Sequence, residues 1–150
     1  LTTNAESEAM MKMCADPDTA PTPAKIVETI KPALDKLFKP AFLGRMSIVP
    51  YYPISEPVMK LIVKLQLGRI GKRILENHGA SFTWDEAVVH EIASRCKEVE
   101  SGARNVDAIL TKTVLPDLSG EFLARMAEGG TISKVHVRVG DGGAFAYDLA

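Results

Sequence analysis

The sequence predicts an α+β chain in which helices pack on a small three-stranded antiparallel sheet, and three observations point there. Apolar residues recur at three- and four-residue steps in several separate stretches, the mark of amphipathic helices. The tail alternates, Ile132, Val135, Val137 and Val139 being apolar on one side of a glycine-rich break and Phe145, Tyr147 and Leu149 on the other, which describes a hairpin. Three or four helices accompany only short strands near 81–84, 132–139 and 144–149, so the helices pack on one small sheet.

Length and composition fit this class. The chain has 150 residues, 46% hydrophobic and 25% charged, a globular balance that argues against disordered, collagen-like or coiled-coil chains. Eighteen basic residues against 19 acidic ones leave a net charge of -1, without the basic excess that nucleic-acid binding draws on. The aliphatic run Leu61-Ile62-Val63 lies between Lys60 and Lys64, far short of the ~20 apolar residues that cross a bilayer. Cys14 and Cys96 lack metal-ligand spacing and do not form a disulfide framework, so a reducing cytosol is the expected compartment. The abrupt opening Leu1-Thr2-Thr3-Asn4 reads as the end of a buried strand and suggests an excised fragment.

The elements follow in order. Residues 14–24 hold three prolines and form a connector. A helix then carries Ile26, Val27, Ile30, Leu34, Leu37 and Phe38, with Pro32 expected to kink or restart it. Met46-Ser47-Ile48-Val49, closed by Pro50, reads as an inner strand. Ser55 is placed to cap a long helix whose stripe is read as Val58, Leu61, Ile62, Leu65, Ile70 and Ile74, with Gly79 as its stop. Residues 81–84 alternate as a strand. Asp85 or Thr83 precedes a helix carrying Val88, Val89, Ile92 and Ala93. A helical stretch from Gly102 to Gly129-Gly130 carries Val106, Ile109, Leu110, Val114, Leu118, Phe122, Leu123 and Met126, with a bend expected at Pro116. Strands near 132–139 and 144–149 close the sheet.

Taken singly, the usual chemical motifs are weak. Gly140-Asp141-Gly142-Gly143 lacks phosphate-loop spacing and a following helix, so it reads as a hairpin turn. His78, His90 and His136 lie in three different elements and are read as structural, with no metal site implied. Glu86, Glu91, Glu98 and Glu100 read as solvated helix faces, and Met10, Met11 and Met13 as gap-filling core.

Three residues gain meaning together. Asn4 stands in Leu-Thr-Thr-Asn-Ala, Arg45 in Phe-Lys-Pro-Ala-Phe-Leu-Gly-Arg, and Arg104 in Gly-Ala-Arg-Asn. In that order and spacing they resemble sensor 1, the arginine finger and sensor 2 of the second ATPase ring in the Clp/Hsp100 unfoldases of the AAA+ superfamily. Phe-Leu-Gly-Arg-Met, Val-Pro-Tyr-Tyr-Pro-Ile and Gln-Leu-Gly-Arg-Ile are most similar to the branch associated with bacterial type VI secretion, with the disaggregase branch next. The resemblance covers essentially the whole chain.

It implies that residues 1–50 end the large ATPase domain and 51–150 form the small, or lid, domain. It implies ATP with Mg as the nucleotide, bound mainly by Walker motifs that would lie before Leu1, so the fragment alone is expected to be inactive. It also implies a cytoplasmic bacterial homo-hexamer that threads protein, with contracted secretion-sheath subunits as the expected substrate. General disaggregation and a non-catalytic assembly module are the alternatives. Asn4 would orient the attacking water, Arg45 would reach a neighbour's nucleotide, and Arg104 would hold the γ-phosphate of its own subunit. Gly102 and Ala103 would let the backbone approach, and Ile54 would lie near adenine, with core packing as its plainer reading. Arginine suits both cationic positions, because its planar fork stays charged and binds two phosphate oxygens.

Overall fold

The computed structural model describes residues 2–16, 19–97 and 103–150. The chain divides into two compact units, Leu1–Ser55 and Glu56–Ala150.

The first unit is helical: α1 (Ser7–Met13), α2 (Pro23–Leu37) and α3 (Pro40–Leu43). Thr22 opens α2, its Oγ1 accepting the Lys25 N–H at 3.4 Å, and Pro23 occupies the first helical position, where a missing N–H costs nothing. Pro32 lies inside α2 without ending it. Ile26, Ile30 and Leu34, on one face at four-residue steps, are all buried, and this shared anchorage holds the two halves together. Cys14 and Leu43 complete this small core, with Met10, Met13, Phe38 and Ile48 packed on it.

Two expectations fail here. Residues 46–50 form no strand, because this unit contains no partner strand among its described residues to complete a ladder, and Val49 is 68% exposed. Thr2–Asn4 likewise form no strand and are exposed. The seven-residue α1 was not legible, being too short to show a period.

The second unit contains α4 (Glu56–His78), β1 (Ser81–Trp84), α5 (Glu86–Lys97), α6 (Arg104–Lys112), α7 (Val114–Ala127), β2 (Lys134–Val139) and β3 (Phe145–Leu149). The three-stranded sheet has the order β1-β2-β3, as expected in size, but not antiparallel throughout. β1 runs parallel to β2, Phe82 facing Val135 and Trp84 facing Val137, while β2 and β3 are antiparallel. The reason is topological: α5, α6 and α7 return the chain to the end of the sheet where β1 began, so β2 starts in the same direction. α5 buries Val88, Val89, Ile92 and Ala93 as its pattern predicts, and Val106, Leu110, Val114, Leu118, Phe122, Val135 and Val137 share that core.

The long helix shows a rotated face. The buried stripe of α4 is Met59, Val63, Leu67, Ile70 and Ile74, whereas Val58, Leu61 and Leu65 point outward. Helical geometry puts the two sets on nearly opposite sides. α4 is therefore apolar on two faces, and the sequence reading followed the outer one for its first three turns.

The break between α6 and α7 comes at Thr113, three residues before the bend expected at Pro116. Proline cannot donate to the Lys112 carbonyl and would clash with it, so the chain restarts and Pro116 is taken into the first turn of α7. Thr113 Oγ1 donates to the Ile109 carbonyl at 2.7 Å across the break.

Glycines in α4 have opposite roles. At Gly71 an added Cβ would lie 3.2 Å from Phe82 Cδ1 and 3.3 Å from its Cβ, so this glycine lets α4 approach β1, while Gly68 faces open space. Gly68→Ala is expected to stabilise the unit by about 0.5–1 kcal/mol through helix propensity. Gly71→Val is expected to destabilise it by about 1–3 kcal/mol through overpacking. Opposite shifts of the urea midpoint check both.

Candidate functional site

The glycine-rich segment at 140–143 is a hairpin turn. Gly142 and Gly143 have φ of 70° and 81°, and Arg95 Nη2 donates to the Gly143 carbonyl. The same guanidinium pairs with Glu91 at 2.8 Å and lies over the Phe145 ring at 5.0 Å, so the turn is fastened to α5. His78 and His136 have packing and local polar roles. His78 lies against Phe122, with ring centroids 4.4 Å apart. His136 joins Thr83 Oγ1 at 2.9 Å to Asp85 Oδ1 at 3.2 Å across β1 and β2. Tyr147 donates to Asp117 at 3.0 Å, and burial together with that carboxylate pushes its phenol well above the usual range. Glu86 is held below the usual carboxylate range chiefly by its hydrogen bond from Lys64, at 2.8 Å.

An open groove of about 310 Å³ lies between α4 and α7, lined by Ile74, His78, Leu118, Phe122, Leu123 and Met126 among others. None of the nucleotide-related candidates lines it, so the chemistry has to be sought in the two arginine positions.

In the first unit, Arg45 follows the short turn α3. Its N–H bonds to the Phe42 carbonyl at 3.1 Å, and the neighbouring Gly44 and Met46 amides bond to the Pro40 and Leu43 carbonyls at 2.9 and 3.2 Å. Leu43 is buried, so the turn is rooted in the core. The Arg45 side chain is exposed and makes no ion pair or hydrogen bond among the described residues. Asn4 is exposed as well. Its carbonyl accepts the Ser7 N–H at 3.1 Å, and it stands before a helix rather than at the end of a paired strand.

In the second unit, Arg104 is the first residue of α6, with Ala103 at the cap position and no side-chain cap hydrogen bond among the described residues. Val106 and Leu110 are fully or nearly fully buried and pin the helix, which leaves Arg104 on the exposed side. A cation at a helix N-terminus opposes the helix dipole, an arrangement relieved by a bound anion. Arg104 has no ion-pair or hydrogen-bond partner among the described residues. Gly102 lies outside the described residues. Ile54 is 43% exposed, so core packing does not account for it. Within the first unit, no hydrogen bond or ion pair among the described residues joins any two of Asn4, Arg45 and Ile54.

What sequence reasoning missed is the inner stripe of α4, Met59, Val63 and Leu67; the residues it named instead, Val58, Leu61 and Leu65, are exposed on the side away from this unit's core. The signal was present: Met59, Val63 and Leu67 offer an equally regular stripe, and two competing apolar faces mark a helix contacted from both sides.

Residues 54–137 match the family described as the C-terminal, D2-small domain, of ClpB protein. The AAA+ ATPase ClpV1 of Pseudomonas aeruginosa is 49% identical over all 150 residues, which make up 16% of that protein. The chaperone protein ClpB of Yersinia enterocolitica is 38% identical over 125 residues, 83% of this chain and 14% of that protein. ClpB of Chlamydia muridarum is 29% identical over 124 residues. The chain thus spans about one sixth of the length of the curated relatives it matches.

Proposed function

The chain belongs to the ClpB-type Clp family of AAA+ ATPases, and from that premise we propose that it is the C-terminal part of a hexameric, ATP-driven protein-threading machine that disassembles contracted type VI secretion sheaths. Residues 1–50 are then the end of the large ATPase domain, and 51–150 the lid. The observation that carries the reading is the pair of exposed guanidinium groups, Arg45 and Arg104, neither with an ion-pair partner among the described residues. An exposed arginine at a helix start, without an ion-pair partner among the described residues, suits a polyanionic ligand such as a nucleotide triphosphate.

ATP is the substrate of this reading, and Mg would enter with it, held by motifs outside this chain. Phosphoryl transfer depends on positioning and on neutralising charge spread over phosphate oxygens. Arg104, with the uncapped amides beside Ala103, binds γ-phosphate oxygens of its own subunit and ties the lid to nucleotide state. Arg45 supplies charge to the neighbouring subunit's phosphate as bond breaking proceeds, and the Asn4 amide orients the attacking water. Gly102 lets the backbone approach, and Ile54 offers exposed apolar surface to the adenine ring. The outer stripe of α4 gives the lid a second surface on which to pack in a ring, which supports homo-hexamer assembly.

The 49% identity to ClpV1 favours sheath as the substrate. The ClpB likeness keeps general disaggregation as the second reading. The full-length protein is therefore expected to solubilise contracted sheath tubules in an ATP-dependent pelleting assay, and to leave a heat-aggregated reporter enzyme in the pellet. The reverse pattern supports disaggregation. Neither activity, in protein of hexameric size that hydrolyses ATP, contradicts both substrate assignments.

A further inference from the structure

The turn bearing Arg45 is held from two sides. Leu43 roots it in the first unit's core, and Phe42 stacks on Phe38, with ring centroids 5.9 Å apart and planes inclined by 28°. Phe38 ends α2, its N–H bonding the Leu34 carbonyl at 2.8 Å, and packs on the same core as Leu34 and Leu43. Phe42 is itself 42% exposed, more than the burial of an apolar anchor requires. Three successive amides, those of Gly44, Arg45 and Met46, bond back into Pro40–Leu43, so the Arg45 backbone has little freedom within the turn even though its side chain has no partner among the described residues.

We propose that Phe42, through its stack on Phe38, is a positioning residue that fixes the direction in which Arg45 leaves the protein, and that it acts on catalysis without touching nucleotide. The inference rests on the finger reading of Arg45. A group that acts in the transition state has to be held within a fraction of an ångström, and misplacement by about 1 Å costs on the order of 100-fold. Leu43 holds the turn to the core at one point, and a single point leaves it free to swivel. The aromatic stack supplies a second point, with the geometric preference of paired rings.

The test uses full-length hexamers carrying Phe42→Ala, Phe42→Tyr or Arg45→Ala, with kcat and KM for ATP and the hexamer size measured for each. Phe42→Ala is expected to lower kcat by about tenfold to 100-fold with KM and hexamer size unchanged. Phe42→Tyr, which keeps the ring, is expected to restore kcat. A large loss in Arg45→Ala combined with normal kcat in Phe42→Ala overturns the positioning role and leaves the finger intact. Normal kcat in Arg45→Ala overturns the finger reading itself. Should Phe42→Ala fail to assemble, Phe38→Leu removes the other ring while keeping apolar bulk. A lowered kcat in assembled Phe38→Leu hexamers supports the proposal, and a normal one contradicts it.

Discussion

Replacing Arg45 by alanine in the full-length hexamer is expected to lower kcat for ATP hydrolysis by about 10³-fold or more, with nucleotide affinity and hexamer size preserved. The asymmetry follows from when the charge is needed. A guanidinium that meets phosphate oxygens as charge redistributes contributes to the transition state and little to the ground state, so kcat falls while KM holds. Arg45 is exposed and makes no ion pair within the described residues, so its removal leaves no buried charge unpaired and no cavity. The fold should tolerate the change, which separates a catalytic loss from a structural one. Arg45→Lys keeps the charge and loses the planar fork, and is expected to recover only part of the rate. Steady-state turnover with light scattering on the same samples checks both variants. Wild-type turnover from Arg45→Ala hexamers would instead favour the non-catalytic assembly module.

The second large effect concerns stability and decides which face of α4 points inward. Leu67→Ala removes a fully buried side chain from the core of the second unit and is expected to cost about 3 kcal/mol, the transfer cost plus that of the residual cavity. Leu65→Ala, two residues away on a side chain 57% exposed, is expected to change stability by no more than about 0.5 kcal/mol in this 150-residue chain. Trp84 is the sole tryptophan and packs against that core from β1, so its fluorescence during urea unfolding reports this unit. Equal costs at the two positions would contradict the observed register.

How much of this was legible depended on whether a pattern had one solution. In α5 the apolar residues Val88, Val89, Ile92 and Ala93 lie on one side only, and that reading matches the buried face. In α4 there were two sides. Val58, Leu61 and Leu65 are spaced as well as Met59, Val63 and Leu67, and only tertiary packing says which set meets the sheet. Met46–Val49 carried β-prone residues, but strand formation needs a partner ladder, a non-local condition that a local pattern cannot express. The same limit hid the parallel pairing of β1 with β2, since strand direction is set by the route through α5–α7. Pro116 was read as a bend within one helix because proline marks a break more clearly than its position, and the break falls at Thr113.

Among the candidate site residues, the types and flanking runs were visible in the chain. The exposure of Arg45 and Arg104, and the lack of a side-chain cap on α6, required structure. Ile54 shows the reverse case: a hydrophobic residue beside a proline reads most simply as core, yet it is exposed.

The central claim is that one protomer's Arg45 and its neighbour's Arg104 serve the same phosphate. Its most direct test co-assembles full-length subunits carrying Arg45→Ala with subunits carrying Arg104→Ala and measures ATP turnover of the mixed rings. Wherever an Arg104→Ala subunit lends its intact Arg45 to an Arg45→Ala neighbour, a complete site is rebuilt, so the mixture is predicted to exceed both parents. Turnover no higher than the average of the two parental hexamers, in rings verified to be mixed, would contradict the account.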